Sequence, residues 1–381
     1  MDTAALLARG LLSNNDDVKK NKTVCPIEDQ SGPEIVPFVG NYTWHSFATI
    51  CSGACAILSF LIVFAVIIMH ALNFSNPIQQ RQIIRILLLV PWAAFFAFLI
   101  VWQEGAGEYL VESLDFGCAI ALAAFLLLMC DYILASTGGS HELFGATSVK
   151  RADGKENSPN WFKRIWYMVL QFIPTSLIIW LATCITVAIN IYCSSSNSVH
   201  FAHIWITVFK LIVTTLAVLA DLKLYQSKKD ILSQHRVVIK FFAFKGIIGL
   251  NALQTFILAI LVGNKTLQPT KYMTYHDIKA GLPSFILALE MPLFAIVIAL
   301  AFPASPYKLG QSPVAGPATA LFQALNITDL LSCFVRGPMR LVRDQQWGIQ
   351  RQSSMPLVAN PGYPGYSDPP AYGDSREAMR V

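Results

Sequence analysis

Seven apolar runs of about 20 residues each, separated by short polar connections, constrain this chain more than any other feature. They cover approximately 47–72, 84–102, 116–135, 167–191, 202–221, 239–262 and 282–302. A helix rises 1.5 Å per residue and a bilayer core is about 30 Å thick, so each run is long enough to cross it. Only 13% of the 381 residues are charged and 54% are hydrophobic, with a mean hydropathy of +0.51. Charge that sparse cannot coat a soluble globule. The expected fold is an all-α membrane protein, a seven-helix bundle over 47–307. Residues 1–46 form a polar N-terminal tail and 308–381 a tail rich in Pro, Gly, Ser and Gln. The start "MDTAALLARGLLSNNDDVKK" lacks a basic n-region and a long apolar h-region, so the first span is expected to act as the insertion signal.

Basic residues set the expected orientation. Connections one, three and five carry twelve Lys and Arg, including Arg81 and Arg85, against three in connections two, four and six. This predicts an N-terminus outside and a C-terminus in the cytoplasm. The sequons at Asn21, Asn41 and Asn264 then face outside as glycosylation sites, whereas those at Asn73 and Asn326 stay inside. Of eight cysteines, Cys51, Cys55, Cys118, Cys130 and Cys184 fall in apolar runs and read as small core residues. Cys25 and Cys193 are the pair that would meet outside, as a disulfide or as free thiols. Trp44, Trp102, Trp161, Trp166 and Tyr192 read as interfacial residues.

Ionisable groups inside the runs are the candidate site, since each costs about 2.5–3.5 kcal/mol at mid-bilayer. Glu290 in "ILALEMPLFAIVIALAFP" and Lys210 in "HIWITVFKLIVTTLAVLA" lie at similar depth. They either pair with each other or backbone, or line a solute path. Pro292 frees a carbonyl one turn before itself, near the acid. Asn251 and Gln254 are either interhelical glue or cavity lining. Lys240 and Lys245 are expected to snorkel to the near surface, and Asp131 to meet a basic loop residue. No Cys/His metal spacing, GxSxG, HExxH or Walker motif occurs, so neither enzyme activity, metal, cofactor nor nucleic acid is expected. No internal repeat is visible.

"NPIQQRQIIRILLLVP" (76–91), "ALAAFLLLMCDY" (121–132), "VVIKFFAFKGIIGL" (237–250) and "TYHDIKAGLPSFILALEMPLFAIVIALAFPASPY" (274–307) resemble the organic solute transporter alpha-subunit family over about 45–307. The resemblance implies seven spans and facilitated transport of amphipathic organic anions and sterol conjugates. It also implies a small single-span beta subunit or a homo-oligomer as partner. Other members look like endolysosomal or vacuolar proteins that recruit cytoplasmic partners. Glu290, Gln254, Arg81, Arg85 and Lys245 match motif positions. A Tyr-Glu pair usual in helix three is replaced here by Gly117 and Cys118. The basic residue before the helix-four proline is missing, and of a helix-six Trp-Gln pair only Gln254 remains.

The tail carries "SDPPAYGD", whose Pro369, Pro370 and Tyr372 have the PPxY form, read either as a ligand for a WW-domain ubiquitin ligase or as incidental proline-rich composition. Residues 318–343 have helical apolar spacing followed by Arg336, Arg340 and Arg343. They are expected to form one amphipathic helix, on the inner leaflet lipid or on a soluble partner, with Cys333 open to palmitate. "FQAL" has the loose shape of an autophagy-protein ligand. Two functions follow: transport of an amphipathic solute, or an adaptor at a plasma, endosomal or vacuolar membrane. A seven-helix signalling receptor has only the helix count in its favour.

Overall fold

The computed structural model describes residues 25, 33–103, 105–136, 143, 160–193, 198–264, 266–308 and 313–338. Asn21, the connection after span three, Arg340, Arg343 and the PPxY residues lie outside them. The described residues are all-helical apart from one isolated bridge between Val39 and Tyr42. Seven helices are long and apolar enough to span a membrane: α1 (Trp44–Leu72), α2 (Pro77–Trp102), α3 (Gly107–Leu134), α4 (Asn160–Ala188), α5 (Ala202–Ser227), α6 (Val237–Val262) and α7 (Asp277–Tyr307). Two short helices follow, α8 (Pro317–Leu325) and α9 (Thr328–Arg336), bent by 50° to one another.

Local chemistry explains where these helices begin and break. Thr43 caps α1 by accepting from the Ser46 amide at 3.3 Å. Asn76 caps α2 by accepting from the Gln79 amide, Pro77 fills the first turn, and Gln80 reaches back to the Asn76 amide at 2.9 Å. Gln80 also donates to the carbonyls of His70 and Asn73, which ties α1 to α2 through a connection of only four residues. Pro91 has no N–H for the Leu87 carbonyl, and α2 is interrupted at Leu88. Pro174 stands in the same relation to Leu170, and α4 is interrupted at Gln171. Around Pro292, α7 stays helical from Leu282 to Ala301.

The polarity of the helices sorts them by position. Over residues 116–130 α3 is apolar on every side, with Ala119, Ala121, Ala123 and Ala124 fully buried, so it belongs at the centre. It packs on α2, α4, α5 and α6. α7 packs on α1, α2 and α6, and α5 packs on α4 and α3. No extended seam joins α5 to α6 among the described residues. These two helices are also the least buried, and they present Phe209, Leu211, Phe242 and Phe256 outward. α5 and α6 thus each lie against α3 without an extended seam between them among the described residues.

The two ends of the bundle differ. At one end a disulfide joins Cys25 to Cys193, with Cα atoms 5.7 Å apart, and the Val36 amide donates to the Lys271 carbonyl at 2.8 Å. Asn41 and Asn264 are exposed on this disulfide face. At the other end, the tail face, α8 and α9 lie against α1, α2 and α4. The single amphipathic helix expected over 318–343 is instead two helices with a break at Asn326. That side chain accepts from the Thr328 amide and hydroxyl, which ends one helix and starts the next. The face that turns inward carries Ala320, Ala324, Leu330 and Cys333, so the Cys333 thiol is packed against the bundle rather than open to palmitate.

Trp44 and Trp166 are also interior residues rather than interfacial ones. Trp44 is buried against Ala48 and Val101, and the Trp166 indole donates to the Cys333 carbonyl at 3.1 Å. Cys118 and Cys130 are fully buried, as expected of core residues, whereas Cys51, Cys55 and Cys184 are only partly covered.

Candidate functional site

Near the disulfide face the starts of α3 and α7 and the nearer half of α6 line a cavity of 410 Å3. Its walls mix apolar residues such as Ile100 and Leu114 with Glu108, Asn251, Asp277 and Lys279. The α7 wall is a π-turn, Asp277–Gly281, set by a reciprocal cap. Asp277 accepts from the Thr274 amide and hydroxyl at 2.9 Å each, and its own amide donates to Thr274 Oγ1 at 3.1 Å. Gly107 lets α3 approach this turn, because a Cβ there would lie 2.8 Å from that of Ala280. Tyr192 lines the same space. Burial, with the Glu112 carboxylate adding to it, pushes its phenol up to about 12, so it stays a hydrogen-bond donor at neutral pH.

Below the cavity, charged side chains of α5 and α6 meet α3. Lys210 Nζ of α5 lies 2.8 Å from Glu112 Oε1 and 3.6 Å from Asp115 Oδ2, both at the start of α3. Glu112 and Asp115 are three residues apart and so share one helix face. Further along α3, Lys245 of α6 donates to Cys118 Sγ at 3.3 Å. Asp221 of α5 is 1% exposed, and neither carboxylate oxygen has a hydrogen-bond partner. An aromatic cluster, Phe125 with Phe241 and Phe244 at centroid distances of 5.7 and 5.1 Å, closes this row of charges on the tail side.

Lys210 and Glu290 thus do not pair. Glu290 accepts from the Gln254 amide, joining α7 to α6, and Glu290 Oε2 and Gln254 Oε1 are buried without partners. Asn251 lines the disulfide-face cavity, one turn from Gln254. Lys245, expected to snorkel, turns inward to Cys118. Arg81 and Arg85 stand apart from it on the tail face, where both meet Asp329 of α9. Arg85, 3% exposed, also donates to the carbonyls of Gln323, Ala324 and Asn326, so it holds the α8–α9 break. Asp131 accepts from Gln79 Nε2 at 2.7 Å.

Sequence reasoning placed Glu112 and Asp115 in a connection and did not single out Asp221. The three-residue spacing of Glu112 and Asp115 was the available signal. Among the described residues no group of three His, Cys, Asp or Glu could hold a metal ion.

Seven apolar helices around a buried central span, with ion pairs inside the spanning region, define a multi-pass integral membrane protein. The profile of the organic solute transporter Ostalpha family matches residues 48–307, and the chain belongs to that family. It is 22% identical over 269 residues to a transmembrane protein 184 homolog of Dictyostelium discoideum, covering 68% of this chain and 52% of that protein. Identity to protein LAZ1 of Arabidopsis thaliana is 21% over 311 residues, 74% of this chain and 62% of LAZ1. Identity to the vacuole membrane protein hfl11 of Schizosaccharomyces pombe is 25% over 239 residues, 60% of this chain and 55% of hfl11. The chain therefore spans between half and two thirds of the length of these relatives. No solved structure matches.

Proposed function

We propose that the protein is a facilitative transporter of amphipathic organic solutes, of the sterol-conjugate or organic-anion kind, which move along α3 between α5 and α6. The observation that carries this reading is the row of charged groups along α3, where α5 and α6 lie against it. Lys210 meets Glu112 and Asp115 there and Lys245 meets Cys118, with Asp221 buried on α5, while the outward faces of α5 and α6 are apolar. A solute with a rigid apolar body and one anionic end can keep its body against lipid-facing side chains while its charge passes from Lys210 to Lys245. The buried oxygens without partners, on Asp221 and Glu112, are acceptors that a solute hydroxyl can satisfy. Asn251 lines the entry cavity, and the Gln254–Glu290 bond holds α6 to α7. Membership of the Ostalpha family is in keeping with this chemistry.

The orientation that goes with this reading places the disulfide face outside and the tail face in the cytoplasm. The excess of basic residues on the tail face supports it, as does a disulfide, which persists in oxidising compartments. Asn21, Asn41 and Asn264 are then the glycosylation sites. The membrane is the plasma, endosomal or vacuolar membrane, and a single-span beta subunit or a second copy of the chain is the partner within it.

A second reading, an adaptor, rests on a different observation. Arg85 fixes α8 and α9 on the tail face while Phe322, Leu325 and Val335 point outward at 73, 61 and 79% exposure. With Pro369, Pro370 and Tyr372 beyond them, the tail offers ligands for a WW-domain ubiquitin ligase or an autophagy protein. Solute flux into reconstituted vesicles separates the two readings. A transporter keeps its flux when residues 308–381 are deleted and loses part of it in Glu290→Gln. An adaptor gives wild-type flux equal to that of empty vesicles.

A further inference from the structure

A second cavity, of 570 Å3, opens at the tail face and is not part of the charged row on α3. Its sides are the start of α2, the end of α3, the connection that enters α6, and the end of α7. The aromatic cluster around Phe125 separates it from Lys245. We propose that this cavity binds the phosphate-bearing headgroup of an anionic phospholipid.

The charge balance of the cavity is the first reason. Its ionisable lining is Lys240, Arg236, His235, Tyr132 and Tyr307, with no carboxylate among them. Lys240 Nζ donates to the Tyr132 hydroxyl at 2.8 Å and lies over the rings of Tyr132 and Phe302, 4.8 and 5.6 Å from their centroids. Its partners are thus a neutral hydroxyl and two ring faces, and no carboxylate pairs with it among the described residues. A half-buried ammonium in a membrane protein is costly without a counterion, and an anionic ligand supplies one. Asp131, next to Tyr132 in the chain, does not line the cavity and accepts from Gln79, whose side-chain carbonyl oxygen accepts from the Tyr307 hydroxyl at 2.9 Å.

Arg236 is the second cation of the cavity, and among the described residues no carboxylate pairs with it. It takes a left-handed backbone, φ 51°, which is unusual away from glycine and marks a position fixed by its surroundings. Its guanidinium suits bidentate contact with a phosphate.

The rim decides between a lipid and a soluble anion. Ile239 and Leu300, 58 and 76% exposed, belong to adjacent spans, α6 and α7, and open the cavity sideways toward acyl chains. The position, at the ends of the spans, is the depth of a headgroup layer. A soluble phosphate would gain nothing from these apolar walls. The proposal depends neither on the transport reading nor on which compartment this face meets.

The test uses the full chain in nanodiscs of phosphatidylcholine, with and without phosphatidylinositol 4-phosphate. Native mass spectrometry reads the lipid retained on release. Wild type is expected to keep one anionic lipid per chain. Lys240→Gln and Arg236→Gln are each expected to weaken retention roughly fivefold, and Lys223→Gln, an exposed lysine away from the cavity, to leave it unchanged. Arg236 is exposed outside the spans, so its replacement tests the site even if Lys240→Gln misfolds. Equal retention in Arg236→Gln and wild type overturns the proposal. So does undiminished binding of soluble inositol phosphates, or no preference for the anionic lipid over phosphatidylcholine.

Discussion

Lys210 Nζ stands 2.8 Å from Glu112 Oε1, an ion pair between α5 and α3 that links residues 98 positions apart in the chain. Glu112 is 3% exposed and its second oxygen has no partner, so the pair is asymmetric: the lysine is the acid's main compensation. Lys210→Met is expected to destabilise the protein by about 2–3 kcal/mol. That is below the 3–5 typical of a fully buried pair, because the Lys210 side chain keeps 28% of its exposure. Lys210→Met with Glu112→Met should recover most of the loss. Thermal unfolding of the two variants in one detergent checks this, and a double variant no better than the single one would refute the coupling.

Arg85 is the hinge pin of the tail. It donates to three carbonyls of the α8–α9 break and pairs with Asp329 at 2.7 Å. Arg85→Ala removes all of these at once, so α8 and α9 should come away while the seven spans stay packed. Limited proteolysis is expected to cut within 313–338 at least tenfold faster than in wild type. That corresponds to a docking loss of about 1.4 kcal/mol or more. Arg85→Lys keeps the charge but not the fork of donors and should behave much like the alanine variant.

Gly117 permits the close contact of α2 with α3. A Cβ there would lie 2.5 Å from Cδ1 of Trp92, whose indole nitrogen donates to the Ser113 carbonyl at 2.8 Å. The ring cannot turn aside without losing that bond, so Gly117→Ala should cost about 1–3 kcal/mol. Gly249→Ala, with open space around the glycine, should be neutral or slightly stabilising. The two midpoints of thermal unfolding, measured side by side, decide the matter.

His235 stacks on Tyr132 with ring centroids 4.1 Å apart, and burial, then the charge of Lys240, holds its imidazole below the ordinary 6.5. A lowered value means that the unfolded chain binds the proton more readily. Its contribution to stability is therefore complete above pH 6.5 and is lost as pH falls below it. Unfolding temperature should drop between pH 7 and pH 5 in wild type and drop less in His235→Phe. Identical slopes would count against the assignment.

Most of the fold was legible because run length fixes spans. The number of spans and the position of the tail after the seventh follow from hydropathy alone. Rotation about each helix axis does not. Lys210 and Glu290 are at similar depth, but packing turns Lys210 to α3 and Glu290 to α6, so level alone could not decide whether they pair. The acids of α3 were hidden for a related reason. Glu112 and Asp115 look like loop residues until a lysine 98 positions away is brought against them. The α8–α9 break was readable from Asn326, a residue that bonds its own backbone neighbours, but the apolar spacing on both sides masked it. Gly117 and Cys118 acquire reasons only in three dimensions. One makes room for Trp92 and the other receives Lys245.

The central claim is that a solute's charge travels the row on α3 between α5 and α6. The direct measurement is flux of an amphipathic organic anion into vesicles containing wild type or Lys245→Gln, with a neutral sterol of the same body as comparison. The account predicts anion flux well above empty vesicles in wild type and a loss of about tenfold in Lys245→Gln, with sterol flux little changed. Wild-type flux no greater than that of empty vesicles, or anion flux untouched by Lys245→Gln, would contradict it.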